Sequence, residues 1–200
     1  MTNIKSAKSM FLGLLKNKDI HTYTHSKNVG QLAFSFAQHL ALSPLETETA
    51  RDAGELHDIG KLFVPQSILN KQGKLTSKEI DIIKNHPTWG YQAFHQYLQN
   101  KNDLIIQQIG ETILNHHEHY NRAGHPNGIP LQNSSIIPSI VALCDVYDAI
   151  VSERPYKPAI SVEEALQIMD KKRGTQFYPK LLDYFIQFVS NHYSFLLSMN

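Results

Sequence analysis

Seven residues of this chain are of types that bind metal ions: His25, the adjacent pair His57-Asp58, His86, the pair His116-His117, and Asp145. Successive stations are separated by 32, 28, 30 and 28 residues, which is the length of a helix with its connection. A helical bundle builds metal sites by projecting such side chains from facing helices into one interior pocket. Mixed imidazole and carboxylate donors suit iron, manganese or zinc, whereas an all-oxygen set favours magnesium or calcium and thiolates favour a structural zinc. Neighbours in a helix point about 100° apart, so in a His-Asp pair the two-oxygen carboxylate suits bridging two ions while the imidazole binds one. Lys61 stands four residues after His57, on the same helical face if the helix continues. A cation beside a metal suits the neutralisation of a phosphate. His39, His95, His119 and His192 lie outside this series and read as surface or hydrogen-bonded histidines.

The elements that must carry these residues read as helices. Apolar residues recur at helical spacing over about 22–41, 88–98, 103–117, 138–151 and 180–197. A further helix is predicted from Pro44 toward Ile59, opened by the capping box Ser43-Pro44-Leu45-Glu46. Thr76 to Glu79 and Ser161 to Glu164 are two more capping boxes. Strand-like alternation is nearly absent, and the stretch 118–135 is a loop rich in Gly, Pro and Asn. The pattern predicts an all-α, single-domain helical bundle with the metal centre in its interior, preceded by a helical extension over residues 1–20. Phe185, Phe188, Tyr193 and Phe195 are expected to pack, and Cys144 to be a small core residue.

Composition narrows the function classes. The chain has 200 residues, 42% of them hydrophobic and 18% charged, and a net charge of +1, which excludes wholesale disorder. That balance argues against DNA or RNA polymers and against an anionic membrane as partners. No stretch approaches the roughly 20 apolar residues needed to span a bilayer, and the N-terminus lacks the apolar run of a secretory signal. A lone cysteine suits a reducing compartment, so the expected location is cytoplasmic.

Ordered along the chain are His25-Ser26-Lys27-Asn28-Val29, Leu56-His57-Asp58-Ile59-Gly60-Lys61, Pro65-Gln66-Ser67-Ile68-Leu69, Gly73-Lys74-Leu75-Thr76, His86-Pro87 and His116-His117-Glu118. They continue with Asp145-Val146-Tyr147-Asp148-Ala149, Arg154-Pro155-Tyr156-Lys157 and Gly174-Thr175-Gln176-Phe177. This series, running from about His25 to Pro179, resembles the HD superfamily of metal-dependent phosphohydrolases, and within it the HD-GYP branch, and implies a catalytic domain over residues 21–200. The resemblance implies hydrolysis of the messenger cyclic di-GMP, or a related cyclic dinucleotide, by a metal-bound hydroxide. It implies two divalent ions, iron or manganese, with a third left open. The implied ligands are His25, His57, Asp58, His86, His116, His117 and Asp145, with Asp58 bridging. Lys61 would meet the scissile phosphate, and Arg154 and Lys157 the ligand's phosphates or guanine edges. Asp148, one turn after Asp145, would accept a proton from the attacking water or tether a ligand, and Glu118 would orient an imidazole.

The chain departs from the branch at several points. The usual Gly-Tyr-Pro reads Gly124-His125-Pro126, and the usual Asp-Gly upstream reads Asn121-Arg122. His125 and Arg122 are therefore the expected nucleotide contacts of this loop. Trinuclear members carry a glutamate four residues before the first histidine, where this chain has His21, and this favours two ions. Tyr178 stands where aspartate is usual. The alternatives are a catalytically weak cyclic di-GMP receptor signalling to a protein partner, and an HD hydrolase of another nucleotide. With no sensory module in these residues, a separate regulatory protein is an expected partner.

Overall fold

The structure is a computed structural model that describes residues 2–98, 103–131, 135–152 and 160–198, apart from the side chains of residues 2, 3 and 192–198. Arg154 and Lys157 lie outside the described residues, as do the side chains of His192, Tyr193 and Phe195. The helices are α1 (Thr2–Lys18), α2 (Ile20–His39), α3 (Pro44–Leu56), α4 (Gln66–Leu69), α5 (Ser77–Lys84), α6 (His86–Tyr97), α7 (Leu104–Asn115), α8 (Ile136–Val151), α9 (Val162–Asp170) and α10 (Pro179–Ser198). A short 3-10 helix, Ile59–Phe63, joins α3 to the segment that leads to α4. No strand occurs among the described residues, where a single bridge pairs Arg173 with Phe177.

The helix starts follow local chemistry. Asp19 accepts the amides of His21 and Thr22 to cap α2, and Ser43 with Glu46, and Thr76 with Glu79, form complete capping boxes on α3 and α5. Ser161 caps α9 by accepting the Glu164 amide. Phe36 of α2 meets Phe185 and Phe188 of α10, at ring separations of 5.0 and 5.3 Å. Ile109 and Ile113 of α7, Ile140, Val141 and Cys144 of α8, and Phe11 and Leu15 of α1 complete the same core. Helices α2 and α3 touch backbone to backbone: a Cβ on Gly54 would stand 2.9 Å from the Gly30 Cα.

Helix α3 ends at Leu56, earlier than the expected Ile59. His57 keeps helical dihedrals, Asp58 turns to φ −99° and ψ 9°, and the tighter 3-10 helix begins. Packing forces the change, because Gly60 is pressed against the start of α6. A Cβ on Gly60 would lie 1.8 Å from the His86 carbonyl oxygen and 2.7 Å from the Gly90 amide nitrogen. His57 and Lys61 therefore do not share an α-helical face. Lys61 reaches Asp58 instead, with Nζ 2.6 Å from Oδ2.

Because both atoms that crowd Gly60 are backbone, Gly60→Ala is expected to lower stability by about 2–3 kcal/mol. Urea denaturation checks this; an unchanged midpoint would contradict the close approach.

Candidate metal centre

Helix ends position most of the site. The last carbonyls of a helix have no amide partner within it, and three histidines exploit that. His57, just past α3, places Nδ1 2.7 Å from the Gly54 carbonyl; His116, just past α7, places Nδ1 3.0 Å from that of Ile113. His86 opens α6 and turns Nδ1 to the Ile83 carbonyl at the end of α5, 2.7 Å away. A carbonyl only accepts, so each Nδ1 carries a proton, and in the neutral ring each Nε2 presents a lone pair. His25 lies inside α2, where the carbonyls are already paired, and it takes a side chain instead: Nδ1 is 2.6 Å from Asp148 Oδ2.

The candidate ligand atoms converge in two groups, His25 with His57 and Asp58, and His86 with His116 and His117. Within each group the ligand atoms lie within 4.8 Å of one another. Asp58 joins the groups. Its Oδ2 is 3.3 Å from His57 Nε2 and 3.8 Å from His25 Nε2, and its Oδ1 is 3.2 Å from His86 Nε2. Asp145 adds Oδ1 at 2.9 Å from His25 Nε2 and 3.8 Å from His57 Nε2. All seven residues expected as ligands are thus brought together.

This donor set fits divalent cations. His57 Nε2 is buried with no hydrogen-bond partner. The Nε2 atoms of His86 and His116 approach to 3.2 Å, and with both Nδ1 atoms protonated two lone pairs face each other. That arrangement calls for a cation between them.

The titration behaviour agrees. Burial alone would raise the carboxyls of Asp58 and Asp145. Lys61 and His57 beside the first, and His25 and His57 beside the second, outweigh it and hold both below the ordinary carboxylate range. Burial together with neighbouring imidazoles pushes His116 well below the usual histidine value, and burial drives His117 down to about 3. At neutral pH those two present unprotonated nitrogens. His25 goes the other way: burial opposes its charge, but the hydrogen bonds to Asp145 and Asp148 raise it to about 9.

Other expected residues find different places. Asp148 faces His25 through the same Nδ1 contact. Glu118 is buried but orients no imidazole. Its Oε1 accepts the amides of Asn127 at 2.6 Å and Gly128 at 3.1 Å, closing the loop after α7. Gly124 lies on the chain beneath it, where a Cβ would fall 2.4 Å from the His117 carbonyl oxygen. That contact sets His125 against His117, with ring centroids 4.9 Å apart. Burial, His86 and Lys84 lower His125 to about 4. Arg122 is exposed and has φ 66°, a left-handed conformation that favours glycine. His21 is exposed. The carbonyls of Gly54, Ile83 and Ile113 were missed by sequence reasoning; their only signal is a spacing of three residues before a histidine at a helix end.

The metal-free protein is expected to be most stable near pH 6.5. Above it, stability on the order of 3 kcal/mol drains away by pH 9 as folded His25, raised from 6.5 to about 9, loses its proton. Below it, His116 and His117 resist protons that the unfolded chain accepts, and stability falls again. Denaturation midpoints across pH check this, and Asp148→Asn should flatten the alkaline limb.

The HD domain sequence profile matches residues 9–181. A cyclic di-GMP phosphodiesterase of Thermotoga maritima is 34% identical over 174 residues, covering 87% of this chain and 46% of the relative. The cyclic di-GMP phosphodiesterase PA4108 of Pseudomonas aeruginosa is 37% identical over 175 residues, covering 88% of this chain and 41% of the relative. The chain thus spans less than half the length of these relatives. Among solved structures, the HD domain of the L. monocytogenes phosphodiesterase PgpH, in complex with cyclic-di-AMP, superposes with a TM-score of 0.70 at 19% identity, over 93% of this chain and 96% of that one. No described helix is long and apolar enough to cross a membrane. A profile match over most of the chain, relatives above 30% identity and a shared helical architecture converge on one conclusion: this chain belongs to the HD domain family, in the HD-GYP branch that its motifs resemble.

Proposed function

We propose that the chain hydrolyses a phosphodiester bond of cyclic di-GMP, using two divalent ions, iron or manganese, held by His25, His57, Asp58, His86, His116, His117 and Asp145. One observation carries this reading: the two oxygens of Asp58 face different imidazole groups, Oδ2 toward His25 and His57 and Oδ1 toward His86. A carboxylate so placed suits bridging two ions. Ions bound there would supply an activated water and positive charge for the phosphoryl oxygens.

The chain's own groups do the rest. Lys61, 2.6 Å from Asp58 Oδ2, stands where a phosphodiester oxygen would approach, and its ammonium stabilises charge growing on the phosphoryl group. Asp148 keeps the His25 ring oriented. Arg122 and His125 lie on the loop that Glu118 closes and are assigned to the nucleotide. Arg154 and Lys157 are assigned to its phosphates or bases on the family resemblance. The two relatives named as cyclic di-GMP phosphodiesterases support the substrate. Buried Cys144, a free thiol, suits a cytoplasmic setting. A second reading, a cyclic dinucleotide with other bases, is favoured by His125, which presents an imidazole where the branch has a tyrosine.

Anaerobically purified protein loaded with Fe(II) or Mn(II) is expected to cleave cyclic di-GMP faster than the mixed GMP-AMP cyclic dinucleotide. Asp58→Ala should abolish turnover and reduce bound metal below two ions per chain. Lys61→Ala should keep the metals and lose about 10²–10³-fold in kcat. Binding without cleavage would instead identify a receptor, and preference for the mixed substrate would favour the second reading. Arg122→Gly separates stability from recognition: removing the left-handed side chain should stabilise the fold by about 1 kcal/mol, while KM for the dinucleotide rises. A lower KM would remove Arg122 from the binding site.

A further inference from the structure

Lys18, the last residue of α1, lies far from the metal ligands in sequence but grips the segment that carries Lys61. Its Nζ donates to the Leu62 carbonyl at 2.5 Å and to the Val64 carbonyl at 2.7 Å. These carbonyls close the 3-10 helix Ile59–Phe63, where backbone oxygens run out of amide partners. The Gln66 side chain returns the contact by donating to the Lys18 carbonyl at 3.4 Å. At its other end the same helix is pinned by Gly60 against α6. Between these two fixed points stands Lys61. Its amide donates to the Asp58 carbonyl at 2.9 Å, and its own carbonyl accepts the Val64 amide at 3.2 Å.

A five-residue 3-10 helix has too few internal hydrogen bonds to hold its own orientation. An ammonium bonded to its Leu62 carbonyl and to that of Val64, just past its end, supplies that constraint from another element. Lys18 is half-buried, and α1 is itself anchored in the core through Leu15, Phe11 and Ala7. The clamp therefore ties the Lys61 turn to the rigid body of the fold. Methionine at position 18 would keep the apolar stem and remove both bonds.

We propose that Lys18 is a positioning residue for Lys61: by clamping the end of the 3-10 helix it holds the Lys61 ammonium at the phosphoryl-binding face of the metal centre. The proposal rests on the reading that Lys61 meets the scissile phosphate. It extends the active-site machinery to α1, which contributes no metal ligand.

A double-mutant cycle tests it. Manganese-loaded wild type, Lys18→Met, Lys18→Arg, Lys61→Ala and the Lys18→Met/Lys61→Ala double variant are assayed on cyclic di-GMP and on bis(p-nitrophenyl) phosphate, a generic diester. Metal content and hydrogen exchange are followed in parallel. Lys18→Met is expected to lower kcat about tenfold with metal content unchanged, and to have no further effect once Lys61 is alanine. Lys18→Arg should recover kcat to within about twofold. Amide exchange over residues 59–66 should accelerate about tenfold in Lys18→Met while α7 and α8 keep their protection. An equal loss in both Lys61 backgrounds would show a merely structural role and overturn the proposal, as would unchanged kcat and exchange in Lys18→Met. Cleavage of the generic diester without cleavage of cyclic di-GMP would overturn the substrate reading alone, because the cycle is then read on the generic diester. A chain that cleaves neither would overturn both readings.

Discussion

The site depends on carbonyl groups that helices leave unpaired at their ends. At the ends of α3, α5 and α7, one such oxygen takes the Nδ1 proton of a histidine three residues on. A single hydrogen bond sets the ring angle, selects the tautomer and turns Nε2 inward. At Gly54 and Ile113 the same bond gives a donor to an oxygen that the helix leaves unpaired, whereas the Ile83 carbonyl also accepts the Asn85 amide. At the first two, structural economy and ligand preparation are one interaction. The exception, His25, follows from the same rule, since a histidine inside a helix finds no free carbonyl and must borrow the carboxylate of Asp148.

Gathering these groups is electrostatically expensive. Two carboxylates and five imidazoles share a space from which water is largely excluded, and desolvation opposes every charge placed there. The fold answers with mutual compensation. Lys61 and the imidazoles hold Asp58 ionised, and Asp145 and Asp148 favour the charged form of His25. On the other side of Asp58, His116 and His117 are driven toward neutrality. The result is a polarised cluster, anionic around Asp58 and Asp145 and neutral but rich in lone pairs around His116 and His117. Cations entering such a cluster bring the charge it lacks, so metal binding and folding stability are linked.

The loop after α7 is held by the same kind of contact. The buried Glu118 carboxylate accepts two amides of the loop, and Gly124 lies on the histidine pair too closely for any side chain. The amides of Tyr120 and Asn121 donate to the carbonyls of Gln176 and Thr175. The Gly174 to Phe177 motif thereby braces this loop from behind. Within that rigid frame Arg122 keeps a left-handed backbone, a local strain that elsewhere marks residues retained for their side chain.

Much of this was legible in the sequence. Most of the helices, though not α4 or the 3-10 helix, and the caps at Ser43, Thr76 and Ser161 follow from local propensity, because such a cap is complete within four residues. The seven candidate donors follow from residue type and interval, and the ordered motifs identify the family. The end of α3, and with it the place of Lys61, was not legible, because Gly60 reads as ordinary until α6 is packed against it. Glu118 was assigned to an imidazole, yet its partners are backbone amides nine and ten residues on. Tertiary structure alone decided which way each imidazole faces, that Asp58 looks toward two groups at once, and that Lys18 reaches Leu62 and Val64. The physical reasons are two: the carbonyl partners are backbone atoms, which every residue type carries alike, and the groups facing Asp58 come from helices far apart in sequence, brought together only when the chain has folded.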